Sequence, residues 1–259
     1  MHLTLELVAL LAAVAFVAGA IDALAGGGGL LTLPTLLAVG VPPVSAVATN
    51  KLQSTCGTGS AVFAFWRKGH IDARRFAATA AAVFVGAALG SLALQKVDPA
   101  FLAGFMPALL VAMAIYFLVS PRFGDVERHQ RIGGAALALL LAAIGFYDGI
   151  FGPGAGSFYT TALVTMGGLG LVRAIAHTKL FNFTSNVASL IVMALGGKVL
   201  WLAGFAMAAG SVLGAQAGAH IAMRWGGRGV RPLLVVMSLA LTARLLANPA
   251  NPLRLWLGI

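Results

Sequence analysis

Charged residues are scarce in this 259-residue chain, and acidic ones are the scarcest, with seven Asp and Glu against 17 Lys and Arg. Only 9% of the residues are charged and 60% are hydrophobic, whereas an ordinary soluble domain carries roughly 25% charged residues. The mean hydropathy is +0.96. In water such a chain would expose far more apolar surface than a soluble protein tolerates. The composition therefore predicts an all-α polytopic membrane protein with the lipid bilayer as its solvent.

The chain also lacks the residues of several kinds of catalytic and metal site. Its one cysteine, Cys56, excludes an intramolecular disulfide and any multi-cysteine metal site. The five histidines show no metal-ligand spacing, and neither a Ser-His-Asp motif nor a Walker-type Gly-Lys-Ser/Thr segment is present. The sequence thus predicts no metal, no cofactor and no nucleotide-driven pump.

The formal net charge of +10 does not indicate nucleic-acid binding. The basic residues stand in short clusters between apolar runs and not along one polar face. Basic loops of this kind are typical of the cytoplasmic side of membrane proteins. The three clusters are Arg67, Lys68, Arg74 and Arg75, then Arg122, Arg128 and Arg131, and finally Arg224, Arg228 and Arg231.

Ten apolar runs alternate with these clusters and with shorter polar loops. They cover residues 3–25, 29–41, 43–67, 73–97, 100–120, 131–151, 155–169, 171–195, 199–223 and 230–247. Most of them reach the ~20 residues that a helix needs to cross the hydrocarbon core. The second and seventh runs are shorter. Short, glycine-interrupted segments at matching places in two halves indicate the binding region of a transporter.

A carboxylate followed by a glycine cluster occurs twice in the chain. Residues 19–29 return as residues 145–155, which places Asp22 on Asp148. With one two-residue insertion, the match continues through most of the first ninety residues. A duplicated carboxylate and glycine element in apolar sequence is typical of a membrane transport site at the interface of two repeats.

The distribution of charge predicts how the repeats are oriented. If every run crosses the bilayer, each repeat has five passes and the three basic clusters fall on one side, the cytoplasm. An odd number of passes makes the two repeats inverted relative to each other. We therefore expect an inverted repeat of about 5+5 transmembrane segments with two short broken helices. The repeats are residues 1–120 and 131–259, joined by a cytoplasmic linker at 121–130. If the short runs are re-entrant instead, the third basic cluster falls opposite the other two.

Polar residues inside the apolar runs are costly to bury, so their positions are informative. The third run carries a polar face at positions i, i+4 and i+8, and the eighth run carries the same face. Its members are Asn50, Ser54 and Thr58 and, in the repeat, Thr178, Asn182 and Asn186. Two such faces would meet at the centre of the fold and offer hydrogen-bond donors to a solute. The alternative is that these residues join membrane helices to each other.

Two lysines, Lys51 and Lys179, occupy repeat-related positions. Each comes eight residues after the predicted start of its helix, about 12 Å into the helix. Full snorkelling of the side chain to the interface is strained from that depth. The interpretation that we favour gives both charges to a central cavity, and the alternative is extension toward the membrane surface.

The glycine clusters at 26–29 and 152–156 each break a helix and start a short one. Free backbone N–H groups and the positive end of the new helix favour an anion there. This makes Gly27, Gly28 and Gly154, Gly156 candidate anion ligands. The alternative is a packing turn that lets helices approach closely.

Three ionisable residues near these clusters are candidates for coupling or gating. Asp22 and Asp148 either cap the N–H groups when the site is empty or titrate as proton carriers, with protons as the candidate coupling ion. His177, which has no counterpart in the first repeat, is either a protonatable group near the centre or a histidine at a helix end.

The paired motifs resemble those of a known family. Gly-x-x-Asp-x-x-x-Gly-x-Gly-Gly at 19–29, followed by Ala-Thr-Asn-Lys at 48–51, is similar to the sulfite exporter TauE/SafE family of membrane permeases. The second half agrees, with Gly-Pro-Gly-x-Gly at 152–156 followed by Lys179 and Asn182. The resemblance implies a multi-pass transporter of the bacterial inner membrane for sulfite, sulfoacetate or other organosulfonates, usually an exporter. Pro153 stands where the first half has Gly27, so the two half-helices are not expected to be equivalent in binding.

We therefore predict a secondary transporter, not an enzyme, that exports small sulfur-containing anions by alternating access. The predicted substrate ligands are Gly27, Gly28, Asn50, Lys51, Ser54, Gly154, Gly156, Lys179, Asn182 and Asn186. The expected partners are the anion and the bilayer, and a homodimer is a candidate because twofold dimers are the commonest oligomers. Two alternatives are an uncoupled anion channel and an intramembrane enzyme that uses Asp22 and Asp148 as paired carboxylates.

Overall fold

The computed structural model describes residues 4–119 and 126–225. Within these ranges the chain is all-helical, without a strand, which confirms the predicted secondary-structure class. The described helices are α1 (Leu5–Ala25), α2 (Gly29–Ala38), α3 (Pro43–Arg67), α4 (Ala77–Leu94), α5 (Pro99–Val119), α6 (Gly134–Ile150), α7 (Ala155–Thr165), α8 (Leu171–Leu195) and α9 (Trp201–Trp225). The tenth predicted run, 230–247, lies outside the described residues.

Helix ends follow local sequence signals. Pro43 is the first residue of α3, where the missing N–H costs nothing and the fixed φ suits a helix. Gly40 and Gly168, with φ of +85° and +74°, turn the chain after α2 and α7 in a conformation that L side chains rarely adopt. The two short helices therefore end a few residues before the ends of the apolar runs from which they were predicted.

Four helices are long and apolar enough to cross a membrane by length and composition, namely α1, α4, α5 and α9. Two more, α3 and α8, have 25 residues each but carry polar residues along their length. Helices α2 and α7 are short, with 10 and 11 residues. The chain is thus a multi-pass membrane protein with two long polar helices among apolar ones.

Two pairs of helices pack through glycine. On α9, Cβ atoms at Gly210, Gly214 and Gly218 would lie 2.0, 1.9 and 2.2 Å from the carbonyl oxygens of Ala12, Phe16 and Ala20 on α1. On α4, Cβ atoms at Gly86 and Gly90 would lie 2.2 and 2.1 Å from carbonyl oxygens of Ala142 and Phe146 on α6. Residue numbers rise together in both pairs, so α1 runs parallel to α9 and α4 runs parallel to α6. Small residues allow this close approach of backbones in a membrane.

Helices α3 and α8 occupy the centre and run antiparallel to each other. Near the middle, Lys51 of α3 and Ser185 of α8 both contact Asp148. Farther along, Phe65 of α3 shares a buried cluster with Ala176 of α8. Contacts from Leu52–Gly204 to Ser60–Gln216 show that α3 and α9 are parallel. Helix α8 is parallel to α4, because Phe181 packs edge-on against Phe76 just before α4, and Gln95 just after α4 donates to Val192 O.

The described parts of the basic clusters lie at one end of the helices, which we call the basic end. There the backbone N–H of Asp72 donates to His177 Nε2 at 3.0 Å, and that of Arg128 donates to Gly168 O at 2.8 Å. Arg224 lies in the last turn of α9, which runs parallel to α3 and so ends on the same side. The loops after Gln95 and Gly196 meet at the opposite end, where Gln95 donates to Val192 O at 3.3 Å.

The packing predicts that a single methyl group at Gly214 destabilises the protein, because it would overlap the Phe16 carbonyl oxygen. We expect Gly214→Ala to lower the unfolding free energy by about 1–3 kcal/mol, the cost typical of overpacking. The measurement is the thermal unfolding midpoint in detergent. Gly134→Ala is the matched control, since a Cβ atom there meets no atom within 4 Å. Equal midpoints for the two variants would contradict the packing.

Candidate functional site

The two glycine breaks touch each other. Helix α1 ends at Gly26 with φ of +77°, and α6 is followed by Gly152 and Gly154 with φ of +91° and +79°. A Cβ atom on Gly26 would lie 2.6 Å from the carbonyl carbon of Gly156, and one on Gly156 would lie 2.5 Å from Gly26 Cα. No side chain fits at either position. The repeated elements, which are far apart in the sequence, therefore meet backbone to backbone.

Each break directs the chain into a short helix. Helix α2 starts at Gly29, and the Gly28 N–H donates to the Asp22 carboxylate at 3.2 Å. Asp22 thus caps the glycine turn, as one of the two sequence interpretations expects. In the second half Asp148 Oδ2 instead accepts a hydrogen bond from the Ser185 hydroxyl. The two carboxylates have equivalent positions in the repeat but different partners.

Two ion pairs cross between the halves of the chain, one buried and the other partly exposed at its aspartate. Lys51 Nζ lies 2.7 Å from Asp148 Oδ1, and Lys179 Nζ lies 3.0 Å from Asp22 Oδ2. Each ammonium group also donates to the backbone carbonyl oxygen of the same aspartate. These carbonyls belong to the last turns of α1 and α6, where the helix dipole favours a positive charge. Each lysine therefore binds the C-terminal turn of the broken helix in the opposite half.

The pairing changes what the lysines can contribute. The sequence argument gives Lys51 and Lys179 a free charge that faces the anion, whereas here the exposed fraction of each side chain is 1% and an aspartate neutralises each charge. An isolated ammonium group at that depth would cost several kcal/mol. One signal could have revealed the pairing. Two acids and two bases stand at repeat-related positions inside apolar helices, and charge neutrality requires them to pair.

A small cavity of about 30 Å³ lies where the two halves meet. Its lining comes from both halves and consists of Asp22, Gly26, Gly29, Asn50, Lys51, Ser54, Thr58, Asp148, Gly152, Gly156, Asn182 and Asn186. The cavity, which we call the central cavity, contains six of the predicted substrate ligands and both aspartates. The sequence argument left out Gly26, Gly29 and Gly152, although their membership of the glycine clusters was a signal for them.

The structure places five of the predicted residues away from the central cavity lining. Gly28 faces α1, where a Cβ atom would lie 2.9 Å from Asp22 Cβ. Gly27 and Gly154 belong to the adjoining turns, and Lys179 reaches Asp22 from α8. His177 lies at the basic end, packed on Phe76 with 4.5 Å between ring centroids.

The amides of the central cavity differ in how far their hydrogen bonds are used. Asn50 Oδ1 accepts from Thr32 Oγ1 at 2.6 Å and from Gln53 Nε2 at 2.8 Å, which leaves its NH₂ group for other partners. Asn182 Oδ1 is buried without a partner among the described residues. A buried polar atom of this kind is costly unless another state of the protein satisfies it. The Asn50 NH₂ group can therefore donate to a small solute, whereas the unpartnered atom of Asn182 is an acceptor that needs a donor.

Because the Lys51–Asp148 pair is nearly inaccessible to solvent, removal of one partner should destabilise the fold. We expect Lys51→Met to lower the unfolding free energy by about 3–5 kcal/mol, since it leaves the Asp148 charge buried alone. The double variant Lys51→Met/Asp148→Asn should recover most of that loss. Thermal unfolding in detergent measures both, with the exposed Lys198→Met as control. If the double variant were less stable than Lys51→Met, the two residues would not form a pair.

Comparison of the sequence with known proteins assigns the chain to a family. A model of the family described as sulfite exporter TauE/SafE matches residues 11–245. The "Probable membrane transporter protein ORF9" of Sinorhizobium sp is 46% identical over 257 residues, 99% of this chain and 98% of the relative. A "Probable membrane transporter protein" of Haemophilus influenzae is 46% identical over 95% of this chain and 96% of its own length.

The "Probable membrane transporter protein YfcA" of Escherichia coli K12 is 42% identical over 95% of this chain and 92% of its own length. No solved structure matches the chain. The family model spans nearly the whole sequence, including both glycine breaks and both ion pairs, and it confirms the resemblance seen in the motifs. The chain therefore belongs to the sulfite exporter TauE/SafE family of membrane transporters.

Proposed function

We propose that the protein is a secondary transporter that exports small sulfur-containing anions across the bacterial inner membrane by alternating access. Sulfite, sulfoacetate and related organosulfonates are the proposed substrates. The observation that carries the proposal is the central cavity, where both glycine breaks, both aspartates, Lys51 and three asparagines converge between the halves. The description of the family supports the substrate class, and the names of the relatives support transport.

The directions of the helices favour an inverted repeat. Helices α1, α3 and α9 run one way and α4, α6 and α8 the other. The repeat pairs α1 with α6, α3 with α8, and α4 with α9, so each helix runs opposite to its repeat partner. Since α1 and α3 are parallel, the segment with α2 must bring the chain back from the end of α1 to the side of the membrane where α3 begins. This supports five passes in each half, with the tenth segment at 230–247, outside the described residues.

The size of the central cavity favours a mechanism with moving parts. A space of about 30 Å³ holds little more than water, which needs roughly 10–15 Å³ of such volume. A sulfonate group needs considerably more room. The two halves must therefore separate at their glycine contact to admit the anion, and rocking of one repeat against the other would open the site to each side in turn.

The chemistry of the central cavity suits an anion of low charge. The two aspartates and two lysines sum to zero, so the resting site is neutral. Asparagine NH₂ groups and glycine N–H groups can donate to sulfonate or sulfite oxygens without a net positive charge. Rearrangement of one ion pair would then expose a lysine to the bound anion, where the hydrogen bond is charge-assisted.

Counterflow in proteoliposomes tests the proposal. Vesicles loaded with unlabelled sulfoacetate should take up labelled sulfoacetate faster than empty vesicles, because a carrier returns more quickly when loaded. Flux of the same anion without this stimulation would indicate a channel. Turnover of the anion in detergent, where no gradient exists, would indicate an enzyme. The absence of both uptake and exchange for every sulfur anion tried would contradict the proposed substrate class.

A negative charge added to the central cavity should abolish transport. Asn186→Asp keeps the size of a buried amide but places a carboxylate where the anion must bind, and we expect counterflow to fall at least about tenfold from charge repulsion. Asn186→Ser is the matched control, because it shortens the side chain without adding charge, and should retain most of the flux. If both variants transported equally well, Asn186 would lie outside the anion path.

A further inference from the structure

We propose that Asp22 is an internal competitor of the transported anion. Its carboxylate occupies an anion subsite formed by the Gly28 N–H and the Lys179 ammonium group, and substrate binding displaces it. The inference rests on the proposed function, since it assumes that the central cavity receives an anion. Of the two repeat-related carboxylates, Asp22 is the one that the substrate displaces and Asp148 is not, because their contacts differ.

The contacts of Asp22 are those that an oxyanion would make. One carboxylate oxygen accepts from the Gly28 N–H at 3.2 Å, next to the start of α2, and the other lies 3.0 Å from Lys179 Nζ. A backbone donor, a helix start and a cation are the usual ligands of sulfate-like groups. A carboxylate and a sulfonate present oxygen atoms of similar charge. The subsite is thus already filled by a group that resembles the proposed substrate.

The Asp22 side chain is partly exposed and has space beside it into which it can move. Its side chain is 24% exposed, whereas that of Asp148 is 5% exposed. Asp22 lines the central cavity and also a second pocket of about 10 Å³ between α1 and α3, beside Ser54 and Gly57. That volume is about the size of one water molecule and could hold one carboxylate oxygen. The side chain can therefore rotate from one space into the other.

Asp148 is held in a way that prevents the same movement. Lys51 binds one of its oxygens and the Ser185 hydroxyl donates to the other. Ser185 has Gly57 at its repeat position, so Asp22 receives no equivalent hydroxyl from α3. The second pair is therefore a fixed support, and the first is the exchangeable one.

The exchange also keeps Lys179 paired in every state. With the anion absent, Asp22 neutralises the buried ammonium group, and with the anion present the substrate takes that role. An unpaired lysine that is 1% exposed would cost several kcal/mol. Asp22 therefore returns as the substrate leaves and helps to release it. Removal of its charge should tighten binding and slow turnover.

Binding of sulfite and sulfoacetate to the purified full-length protein tests this assignment. We expect Asp22→Asn to bind the anion at least about tenfold more tightly than the wild type, the change produced by loss of one charged competitor contact. Asp148→Asn, the repeat-matched control, should not tighten binding. The gain should vanish in Asp22→Asn/Lys179→Gln. In proteoliposomes Asp22→Asn should lower both KM and the maximal rate. Unchanged or weaker binding by folded Asp22→Asn would overturn the proposal.

Chemical rescue covers the case in which Asp22→Asn does not fold. Asp22→Ala vacates a carboxylate-sized space beside Lys179, so formate should raise its thermal midpoint at concentrations that leave Asp148→Ala unchanged. Equal rescue of both variants, or of neither, would overturn the proposal. Formate rescue does not depend on the transported anion. Rescue without any flux of sulfur anions would therefore refute only the substrate class, and flux without rescue or tighter binding would refute only the role of Asp22.

Discussion

The structure depends on two ion pairs that each join the halves of the chain, with both lysines buried. Lys51 binds Asp148 and Lys179 binds Asp22, so each half alone would contain a lysine and an aspartate without their partners. Charges at that depth are tolerated only in pairs. The pairs therefore determine how the halves meet. Each lysine also binds a carbonyl oxygen in the last turn of a broken helix, so the same contacts hold the ends of α1 and α6 against the opposite half.

Glycine determines how closely the halves approach. At the centre, Gly26 and Gly156 allow two backbones to touch where any side chain would overlap. On the periphery, glycines of α9 and α4 let each helix pack against a helix of the other half. Each half thus contributes a helix to the other's bundle.

Much of the fold could be predicted from the sequence, because each helix carries its own signals. The apolar runs, the proline at the start of α3 and the glycines after α2 and α7 place nine helices within a few residues, among those described. The polar faces of α3 and α8 were predictable from a spacing of four, and Asn50, Asn182 and Asn186 do line one cavity. The two short helices were predictable from the glycine clusters, although not the backbone contact between them.

The details of the site were less predictable, because they depend on docking between segments more than ninety residues apart. Capping of the Gly28 N–H by Asp22 was one of two interpretations that the sequence left open. Gly27 and Gly154 lie in the turns before the short helices, and His177 accepts a hydrogen bond from Asp72 at the basic end. The difference between the two aspartates follows from Ser185, whose repeat position holds Gly57. The sequence shows that substitution, but only the structure shows that the hydroxyl reaches Asp148.

Solid-state NMR distances between ¹⁵N at lysine Nζ and ¹³C at aspartate Cγ test the central claim most directly. In the empty protein reconstituted in lipid, we expect both pairs to give strong dipolar couplings. After addition of sulfoacetate, the Lys179–Asp22 coupling should weaken while the Lys51–Asp148 coupling persists. Absence of both couplings from the empty protein would contradict the reciprocal pairing on which the fold and the site depend.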